Sequence, residues 1–517
     1  MSLNYLTNKN PIKIHVIKTD LKPYKTIYFL IFSLLTIISC GSKIDKNNPD
    51  FNTRKKELNA MDDRPNILWI IADDLGPDLN CFGESLVYTP NLDKLASEGV
   101  KYLNTYTVAA VCSVSRSTLI TGMYPGSIGS QQHRTRYKAS LPNGVKPITE
   151  YFKDAGYFVT NKGKTDYNFI HDKKDLYHGT DWKERKKGQP FFSQIQIPIP
   201  HRPFKKDTSH PIDPNTIKLP LYYPNKLMVR QDWAMYLETV QLMDQKVGEI
   251  LNRLEAEGLS DNTVVFFFGD QGRPHVREKQ FLYDGGLHTP LIVKWPGKIE
   301  PGTSNSNLVS NVDIAPTTLN IANIEFKNNI QGRDFLAQNA LPRKYIFGMR
   351  DRRDETVDRI RMVRSNDFKY IRNYYPELPY TQFNAYKKYE YPILTLMQIM
   401  YKDSLLTKEQ ARFMKNKRAS EELYDLKNDP NELFNIINDK RYEKEKKLLS
   451  NELEKWIGKT DKGQYPEDSN EIEYAKNMMT ELFKNQMESR GLNPNISDEL
   501  YLEYWRDYLK AQFEPVN

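Results

Sequence analysis

The chain has 517 residues, more than one compact core commonly holds, so its length predicts about two or three domains. Hydrophobic residues make up 39% and charged residues 27% of it, which excludes a wholly disordered or fibrous protein. The 74 basic and 66 acidic residues nearly balance and are scattered, which argues against a dedicated nucleic-acid binder. The three cysteines, Cys40, Cys81 and Cys112, exclude a disulfide framework.

The first segment of the chain has the pattern of an export signal. Basic residues precede an uncharged run at residues 27–38, about a dozen residues long and too short to span a bilayer. The run leads into Ser39-Cys40-Gly41, which resembles a bacterial lipoprotein signal with cleavage before Cys40 and lipid on its thiol. An uncleaved anchor and an ordinary signal peptide are the alternatives. We therefore expect an exported, lipid-anchored protein, located in the periplasm, in the outer membrane or at the cell surface.

Short apolar strands and amphipathic helices alternate after a polar stretch at residues 42–64, which we expect to be flexible. The clearest helical spacing runs from Trp233 to Leu254, with Gly258 as a C-terminal stop. Continuous apolar runs, typical of strands buried on both faces of a parallel sheet, occur at residues 66–72, 156–160, 190–197, 263–268 and 290–293.

This alternation predicts an α/β fold, with a large mixed, mostly parallel sheet sandwiched by helices. From about residue 361 the pattern changes to a predicted hairpin at 361–364 and 368–372 and an amphipathic surface helix at 440–456. We expect a smaller C-terminal α+β domain with a short antiparallel sheet. The predicted organisation is a signal peptide at 1–39, a flexible tether at 40–64, a catalytic domain at 65–360 and the C-terminal domain at 361–517.

Polar residues follow two of the predicted strands where each strand ends. Asp73 and Asp74 come after residues 66–72, and Asp270 and Gln271 come soon after residues 263–268. Each pair alone is typical of a turn. Ligands of an open α/β sheet gather beyond the carboxyl ends of its strands, so the pairs could meet if the strands are neighbours. Closely packed carboxylates repel each other, and a divalent cation with oxygen ligands would neutralise them.

A further candidate element begins at Cys112. Cys112 and Arg116 are four residues apart, so they would share one face of a helix. A helix beginning at Cys112 would also direct the positive end of its dipole toward an anion. The alternative interpretation is a buried thiol beside a solvated arginine.

Residues 112–122 resemble the signature of the type I sulfatases of the alkaline phosphatase superfamily, C-x-P-x-R or C-x-A-x-R followed by a short run to T-G. In that family an activating enzyme converts the cysteine to formylglycine. The resemblance implies an alkaline phosphatase-like fold and hydrolysis of sulfate esters on sulfated polysaccharides or oligosaccharides. Further similarities follow in the family's order at residues 65–74, 163–164, 190–201, 270–272, 279–286 and 422–432, most of the chain beyond the tether.

The resemblance also implies roles for the candidate residues and their partners. His201 would protonate the leaving oxygen, with Lys279 as the competing donor. The implied partners are a sulfated carbohydrate, a formylglycine-generating or anaerobic sulfatase-maturating enzyme, and the membrane through the lipid on Cys40, with no nucleic acid. The implied ligands of one Ca²⁺ per chain are Asp73, Asp74, Cys112, Asp270 and Gln271. The implied catalytic residues are Cys112 as formylglycine, Arg116, Lys164, His201 and Lys279.

Three positions depart from the family's pattern. Val114 stands where Pro or Ala is usual, and Gln271 stands where Asn or His is usual. Asp166 stands where many members have the histidine assigned to the second chemical step. The amide oxygen of Gln271 can still ligate calcium. The carboxylate of Asp166 can still accept a proton, so Asp166 is a candidate second-step base.

Residues that would contact the sugar are predicted from their positions beside these motifs, although each alone is commonly structural. They are His133, Arg273, His275, His288 and Arg352. Two other functions stay open. One is a phosphoester or phosphonate hydrolase of the same superfamily. The other is a non-catalytic glycan-binding lipoprotein on a sulfatase scaffold, which the departures at Val114 and Asp166 would favour.

Overall fold

The computed structural model of the chain describes residues 64–326, 329–463 and 467–514, which all lie within one compact unit. The predicted signal peptide, Cys40 and nearly all of the predicted tether fall outside these residues. Within the described ranges, no helix combines the length and the apolar character that a membrane span needs. The domain boundary at residue 360 stays a prediction.

The described residues contain two sheets. The larger has seven strands in the order β3, β4, β1, β5, β6, β2, β7, and the smaller has four in the order β11, β10, β9, β8. The strands are β1 Asn66–Ala72, β2 Val100–Tyr106, β3 Phe158–Lys162, β4 Phe191–Ile197, β5 Thr263–Gly269, β6 Leu291–Lys294, β7 Thr303–Ser310, β8 Ile346–Arg350, β9 Ile360–Arg364, β10 Phe368–Asn373 and β11 Glu421–Asp425.

The large sheet is mixed and mostly parallel, which confirms the predicted fold class. Strands β3, β4, β1 and β5 are parallel, β6 is antiparallel to both of its neighbours, and β2 and β7 are parallel to each other. The five predicted apolar runs correspond to β1, β3, β4, β5 and β6.

Helices accompany both sheets in the described ranges. The longest helix, at Leu227–Ala256, contains the predicted stretch from Trp233 to Leu254. The chain leaves it through Gly258, whose φ of 68° favours a residue without a side chain. The α-helices are α1 Pro90–Ser97, α2 Cys112–Thr121, α3 Ile148–Asp154, α4 Lys173–Leu176, α5 Leu227–Ala256, α6 Asp284–Leu287, α7 Ile314–Ile321, α8 Ala385–Glu390, α9 Pro392–Lys402, α10 Lys408–Phe413, α11 Glu443–Thr460, α12 Ser469–Ser489 and α13 Asp498–Phe513. The 3₁₀ segments are Asn80–Phe82, Pro125–Ser127, Trp182–Glu184, Pro214–Thr216, Ser260–Asn262, Asn311–Asp313 and Lys440–Tyr442.

Strand β1 lies in the middle of the large sheet and is buried along its whole length. Its side chains alternate between two hydrophobic cores. Leu68 and Ile70 belong to the core that contains the apolar side of α5. Ile67 and Trp69 belong to the core that contains residues of α3 and α7. Helices therefore cover both faces of the sheet, which is why β1 has a continuous apolar run.

The small antiparallel sheet contains the predicted hairpin, as β9 and β10. The predicted amphipathic helix corresponds to α11, which packs on this sheet through Leu449, Leu453 and Trp456. The sheet also includes β8, which precedes residue 361 in the chain. This packing gives the small sheet a hydrophobic core of its own, shared with residues next to α2.

Buried ion pairs join the small sheet to the segment that follows Lys279. The ammonium group of Lys369, on β10, lies 2.5 Å from Asp284 and 2.6 Å from Glu432. Arg364, on β9, lies 3.1 Å from the same Asp284 carboxylate. The backbone N–H of Asp284 donates to Glu432 at 2.7 Å. Two acidic residues that stand in motifs of the resemblance thus hold the small sheet against the segment between β5 and β6.

Candidate active site

Three aspartates meet at neighbouring strand ends of the large sheet. Asp73 and Asp74 follow β1, and Asp270 follows β5, which pairs with β1 in parallel. This pairing confirms that the two strands are neighbours. The backbone N–H of Asp74 donates to Asp270 Oδ1 at 2.9 Å, and all three side chains are buried. We call Asp73, Asp74 and Asp270 the acidic cluster.

Cys112 is the first residue of α2, so its side chain lies at the positive end of the helix dipole. One oxygen of Asp73, one oxygen of Asp270 and the Cys112 Sγ all lie within 4.8 Å of one another. Burial raises the pKa of the thiol to about 12, although the charges of Lys164 and Lys279 oppose this. A protonated thiol is a poor nucleophile, so the unmodified side chain would react slowly at neutral pH.

Arg116 lies one helical turn after Cys112 and is bound directly to the acidic cluster. Its Nε donates to Asp270 Oδ2 at 2.9 Å, and its Nη2 donates to Asp73 Oδ1 at 3.0 Å. Its Nη1 donates to Gln196 Oε1 at 2.5 Å. The side chain is only 3% exposed. The guanidinium therefore joins the ends of β1 and β5 from one side, with all three of its nitrogens engaged.

Two lysines complete the positive surroundings of the cluster. Lys164 Nζ donates to both carboxylate oxygens of Asp73, at 3.0 and 2.9 Å. Lys279 Nζ donates to Asp74 Oδ2 at 2.5 Å. The Lys164 side chain is 27% exposed, whereas that of Lys279 is 2% exposed. Lys164 thus lies at the rim of the site and Lys279 in its interior.

Burial raises the pKa of a carboxyl group. In this cluster, however, neighbouring charges set the direction of the pKa shift for two of the three carboxyl groups. The charge of Lys164, reinforced by the guanidinium, outweighs burial and holds the pKa of Asp73 well below its usual range. The charge of Lys279 similarly lowers the pKa of Asp74. Burial and the charge of Asp73 raise the pKa of Asp270 to about 7. The ionised carboxylates of the cluster are therefore matched by the positive charges of Arg116, Lys164 and Lys279.

His201 approaches the cluster with one ring nitrogen. Its Nδ1 lies 2.7 Å from the backbone carbonyl of Arg202, which only accepts, so Nδ1 carries the proton of the neutral ring. Its Nε2 lies 3.3 Å from the hydroxyl of Tyr386 and 3.7 Å from Asp74 Oδ2. Burial and the charge of Lys279 lower the pKa of the imidazole. The side chain is 25% exposed, so it lies at the rim.

The donor atoms of the cluster fit a hard divalent cation. Asp73, Asp74 and Asp270 supply carboxylate oxygens. The amide nitrogen of Gln271 contacts Asp74 and lies 3.5 Å from the Cys112 Sγ. The amide oxygen of Gln271 is buried and has no hydrogen-bond partner among the described residues. A set of carboxylates with one uncommitted amide oxygen is the kind of site that Ca²⁺ prefers.

Two residues predicted to contact the sugar have partners outside the acidic cluster. Arg273 forms a fork-like ion pair with Asp78, at distances of 2.6 to 3.0 Å. His275 is fully buried, and its ring stacks on Trp233 with centroids 4.3 Å apart. These internal partners hold both side chains, and a sugar could reach His275 only if its packing opened.

Two further predicted residues are also engaged elsewhere. His288 Nε2 lies 2.8 Å from the carbonyl of Leu103, and its ring stacks on Tyr106. Arg352 donates through Nε and Nη2 to Glu467, at 2.6 and 3.1 Å. His288 and Arg273 line a separate cavity of about 490 Å³. Their contact with a substrate stays a prediction.

His133 is a predicted sugar-contact residue that contacts the neighbour of the nucleophile position in the sequence. Its Nδ1 lies 2.9 Å from the hydroxyl of Ser113, the residue after Cys112. Its Nε2 lies 3.9 Å from Asp354, and the side chain is 2% exposed. Burial, with the positive charge of Arg134, holds its pKa well below the usual range. His133 is therefore a neutral group that orients the start of α2.

The structure adds residues that the sequence analysis does not single out. Tyr386, in α8, meets His201 although 185 positions separate them in the chain. Asp166, the candidate second-step base, is held by a fork-like ion pair with Arg134. Its carboxylate also lies 3.6 Å from Lys164. No motif indicated that Tyr386 pairs with His201 or Arg134 with Asp166, because each of these two pairs joins segments far apart in the sequence.

The amino-acid sequence of this chain matches two known protein-family models and several named relatives. Residues 65–168 and 158–324 match the family model described as Sulfatase. Residues 272–388 match the one described as N-sulphoglucosamine sulphohydrolase, C-terminal. A relative named ulvan-active sulfatase, from Formosa agariphila, is 35% identical over 484 residues, which cover 83% of this chain and 80% of that protein.

Solved structures share the fold. One, described as a complex with its substrate D-glucosamine-2-N,6-O-disulfate, has a TM-score of 0.60 at 21% identity and covers 78% of this chain and 100% of that chain. The phosphonate monoester hydrolase of Agrobacterium radiobacter has a TM-score of 0.59 at 18% identity and covers 77% and 96%, respectively. The family match and the 35% identical relative show more than the fold: this chain belongs to the sulfatase family and is a sulfuric ester hydrolase.

Proposed function

We propose that this enzyme removes sulfate from sulfated polysaccharides or their oligosaccharides, using a formylglycine made from Cys112 and one calcium ion. The observation that carries the proposal is the position of Cys112, at the start of α2 and within 4.8 Å of oxygens of Asp73 and Asp270. The relative named for activity on ulvan and the solved complex with a sulfated glucosamine support the substrate class.

The acidic cluster supports the calcium part of the proposal. Asp73, Asp74, Asp270 and the free amide oxygen of Gln271 would hold the ion, together with the converted side chain of Cys112. When bound, calcium would orient the sulfate and stabilise negative charge on the nucleophile. The closely packed carboxylate oxygens, with one uncommitted amide oxygen beside them, are the physical reason for a cation here.

The burial of Cys112 supports its conversion. Its thiol pKa of about 12 leaves almost no thiolate at neutral pH, so a thiolate mechanism would have little reactive species. Formylglycine would supply a hydrated aldehyde, and hence an oxygen nucleophile, at the same position. Because Cys112 is 1% exposed, the formylglycine-generating or anaerobic maturating enzyme would act before the chain folds.

The chain's own cations would bind the sulfate group. An ammonium group has three donors, so Lys164 and Lys279 can each donate to a sulfate oxygen as well as to an aspartate. Arg116 has all three nitrogens committed to neighbouring side chains, so its part is to fix the cluster's geometry and charge. The combined positive charge of Arg116, Lys164 and Lys279 would stabilise the negative charge of a bound sulfate ester in a site largely closed to water.

His201 is the better placed proton donor for the leaving sugar oxygen. It lies at the rim, and because Nδ1 holds the proton of the neutral ring, Nε2 would donate from the imidazolium form, which burial opposes and the Asp74 carboxylate at 3.7 Å favours. Lys279, the competing donor, is 2% exposed and is bound to Asp74 at 2.5 Å. A donor at the rim can reach an oxygen that belongs to the departing sugar, whereas an interior donor faces the sulfate.

The test compares sulfate release from 4-nitrophenyl sulfate and ulvan oligosaccharides with phosphate release from 4-nitrophenyl phosphate, using the matured full chain. We expect sulfate release that is lost on chelation and restored by Ca²⁺. Cys112→Ala should abolish it. The matched control, Cys81→Ala, should retain it, because Cys81 is half-buried with its Sγ 4.0 Å from the carbonyl of Leu92.

Three outcomes of this test would contradict the proposal, and two of them would favour one of the alternative functions. Full activity of Cys112→Ala would remove the proposed nucleophile. Faster hydrolysis of the aryl phosphate would favour the phosphoester or phosphonate hydrolase. Binding of oligosaccharides without any release of sulfate would favour the non-catalytic glycan-binding protein.

We also propose that the protein is exported and anchored by lipid on Cys40, in the periplasm, in the outer membrane or at the cell surface. The support is the basic leader, the apolar run at residues 27–38 and the position of Cys40 after it. Cells fed labelled palmitate should incorporate it into the wild-type protein and not into Cys40→Ala. Equal labelling of both proteins would contradict the anchor.

A further inference from the structure

The rim of the active site carries an ion pair that the proposed chemistry does not use. Arg134 Nε donates to the two carboxylate oxygens of Asp166 at 3.0 and 3.3 Å, and Arg134 Nη2 donates to Oδ2 at 2.8 Å. Both residues have a left-handed backbone, with φ of 50° for Arg134 and 54° for Asp166. That conformation is unfavourable for residues with side chains, so the surrounding fold holds this pair in place.

The pair lies at the open end of a row of alternating charges that begins in the acidic cluster. Lys164 lies 2.9 Å from Asp73 and 3.6 Å from Asp166, and Arg134 lies 2.8 Å from Asp166. Side-chain exposure is 6% for Asp73, 27% for Lys164, 15% for Asp166 and 50% for Arg134. A sulfate ester bound at Lys164 would therefore place the ring that carries the sulfate beside Asp166 and Arg134.

The pair keeps hydrogen-bonding capacity on its exposed side. Arg134 Nη1 makes no hydrogen bond to any described residue, since the three bonds to Asp166 use Nε and Nη2. Burial opposes ionisation of Asp166, but the charge of Arg134 outweighs it and lowers the pKa of that carboxyl. Asp166 is thus an ionised group that only accepts, with lone pairs beyond those that Arg134 uses.

Charge decides which ligand suits this site. The charges of Arg134 and Asp166 cancel, so the pair offers little net attraction to a second anionic group. It presents a free donor, the Nη1 of Arg134, beside a free acceptor, the carboxylate of Asp166. A sugar hydroxyl can both donate and accept, so two adjacent hydroxyls on one ring match such a pair without any change in charge.

We propose that Arg134 and Asp166 form a sugar subsite that binds two adjacent hydroxyl groups of the ring carrying the scissile sulfate. Arg134 Nη1 donates to one hydroxyl oxygen, and Asp166 accepts a hydrogen bond from the other. In this role Asp166 positions the substrate and is not the second-step base. The inference rests on the proposed sulfate ester hydrolysis and adds the feature of the sugar that the same site recognises.

The test measures kcat and KM of the matured full chain on ulvan oligosaccharides and on 4-nitrophenyl sulfate, which has no sugar ring. In Arg134→Ala and in Asp166→Asn, the ratio of kcat/KM for the oligosaccharides to that for the aryl sulfate should fall about tenfold or more, mainly through KM. Arg134→Lys keeps the charge and loses the planar fork, so its ratio should fall as well. The matched control is Arg441→Ala, which removes an 80% exposed fork to Asp439 and should leave the ratio unchanged.

Several results would overturn the subsite. An equal loss on both substrates in Asp166→Asn would show that this carboxylate takes part in the chemistry. A ratio unchanged in all three variants would show that the pair does not contact the sugar. A ratio that falls only for oligosaccharides with a second charged group would show an anion site instead. A wild-type enzyme that releases sulfate from neither substrate would refute the proposed function itself, which is a different outcome from an altered ratio.

Discussion

Removing the guanidinium of Arg116 tests whether this group stabilises the buried carboxylates of the acidic cluster, and the measured quantity is the free energy of unfolding. In Arg116→Met, Asp73 and Asp270 lose hydrogen bonds of 3.0 and 2.9 Å in a position where the arginine side chain is 3% exposed. Breaking a buried ion pair by removing one partner costs about 3–5 kcal/mol, because the remaining charge stays buried. We therefore expect the free energy of unfolding in chelator to fall by about 3–5 kcal/mol.

If the carboxylates hold calcium, adding Ca²⁺ should restore part of the free energy of unfolding that the variant has lost. A ligand that binds only the folded state, at one hundred times its Kd, stabilises that state by about 2.7 kcal/mol. The assay is chemical denaturation of wild type and Arg116→Met, each with chelator and with Ca²⁺. Arg441→Met is the matched control, since its pair with Asp439 is exposed to water and its loss should leave the free energy of unfolding almost unchanged. A variant as stable as wild type in chelator, or one that Ca²⁺ fails to stabilise, would refute the reasoning.

The first of two further predictions concerns the ion pairs of Lys369, and the second concerns the proton donor His201. Lys369→Met should lower the free energy of unfolding at pH 7 by about 3–5 kcal/mol, because Asp284 and Glu432 lose a buried ammonium group. Burial opposes ionisation of Asp284, but Arg364 and Lys369 hold its pKa well below the usual range, so the part of this stabilisation that comes from Asp284 is complete above about pH 4 and is lost as the pH falls further. The difference between variant and wild type in denaturation should therefore shrink below about pH 4, and a constant difference would contradict the assignment. Tyr386→Phe should lower kcat for sulfate release by about tenfold with little change in KM, as expected for the loss of one hydrogen bond to His201 of about 1.4 kcal/mol; an unchanged kcat would contradict its role.

The strands in which every residue is buried were predictable from the sequence. β1 and β5 are buried on both faces, so their apolar runs are unbroken and easily recognised. β7 is an edge strand whose first five residues are polar and partly or fully exposed, and β2 places Lys101 and Asn104 among its apolar residues. Neither strand has an unbroken apolar run, so only pairing in the folded sheet reveals them.

The site was predictable where neighbouring strand ends bring residues together. Asp73 and Asp270 meet because parallel strands end at the same edge of the sheet. The partners of arginine and histidine side chains were not predictable, because they depend on packing between distant segments. His275 lies in the interior beside Trp233, and Asp166 is bound by an arginine 32 positions away. Residue type and spacing can indicate a cation or an acid, but not whether the fold has already paired it.

The central claim is that the side chain at position 112 becomes the nucleophile of a sulfatase. Mass spectrometry of the peptide that spans Cys112, in protein made by the native host and shown to release sulfate, tests this claim most directly. The account predicts an aldehyde in place of the thiol, which a hydrazide reagent captures. A wholly unmodified thiol in that active protein would contradict it.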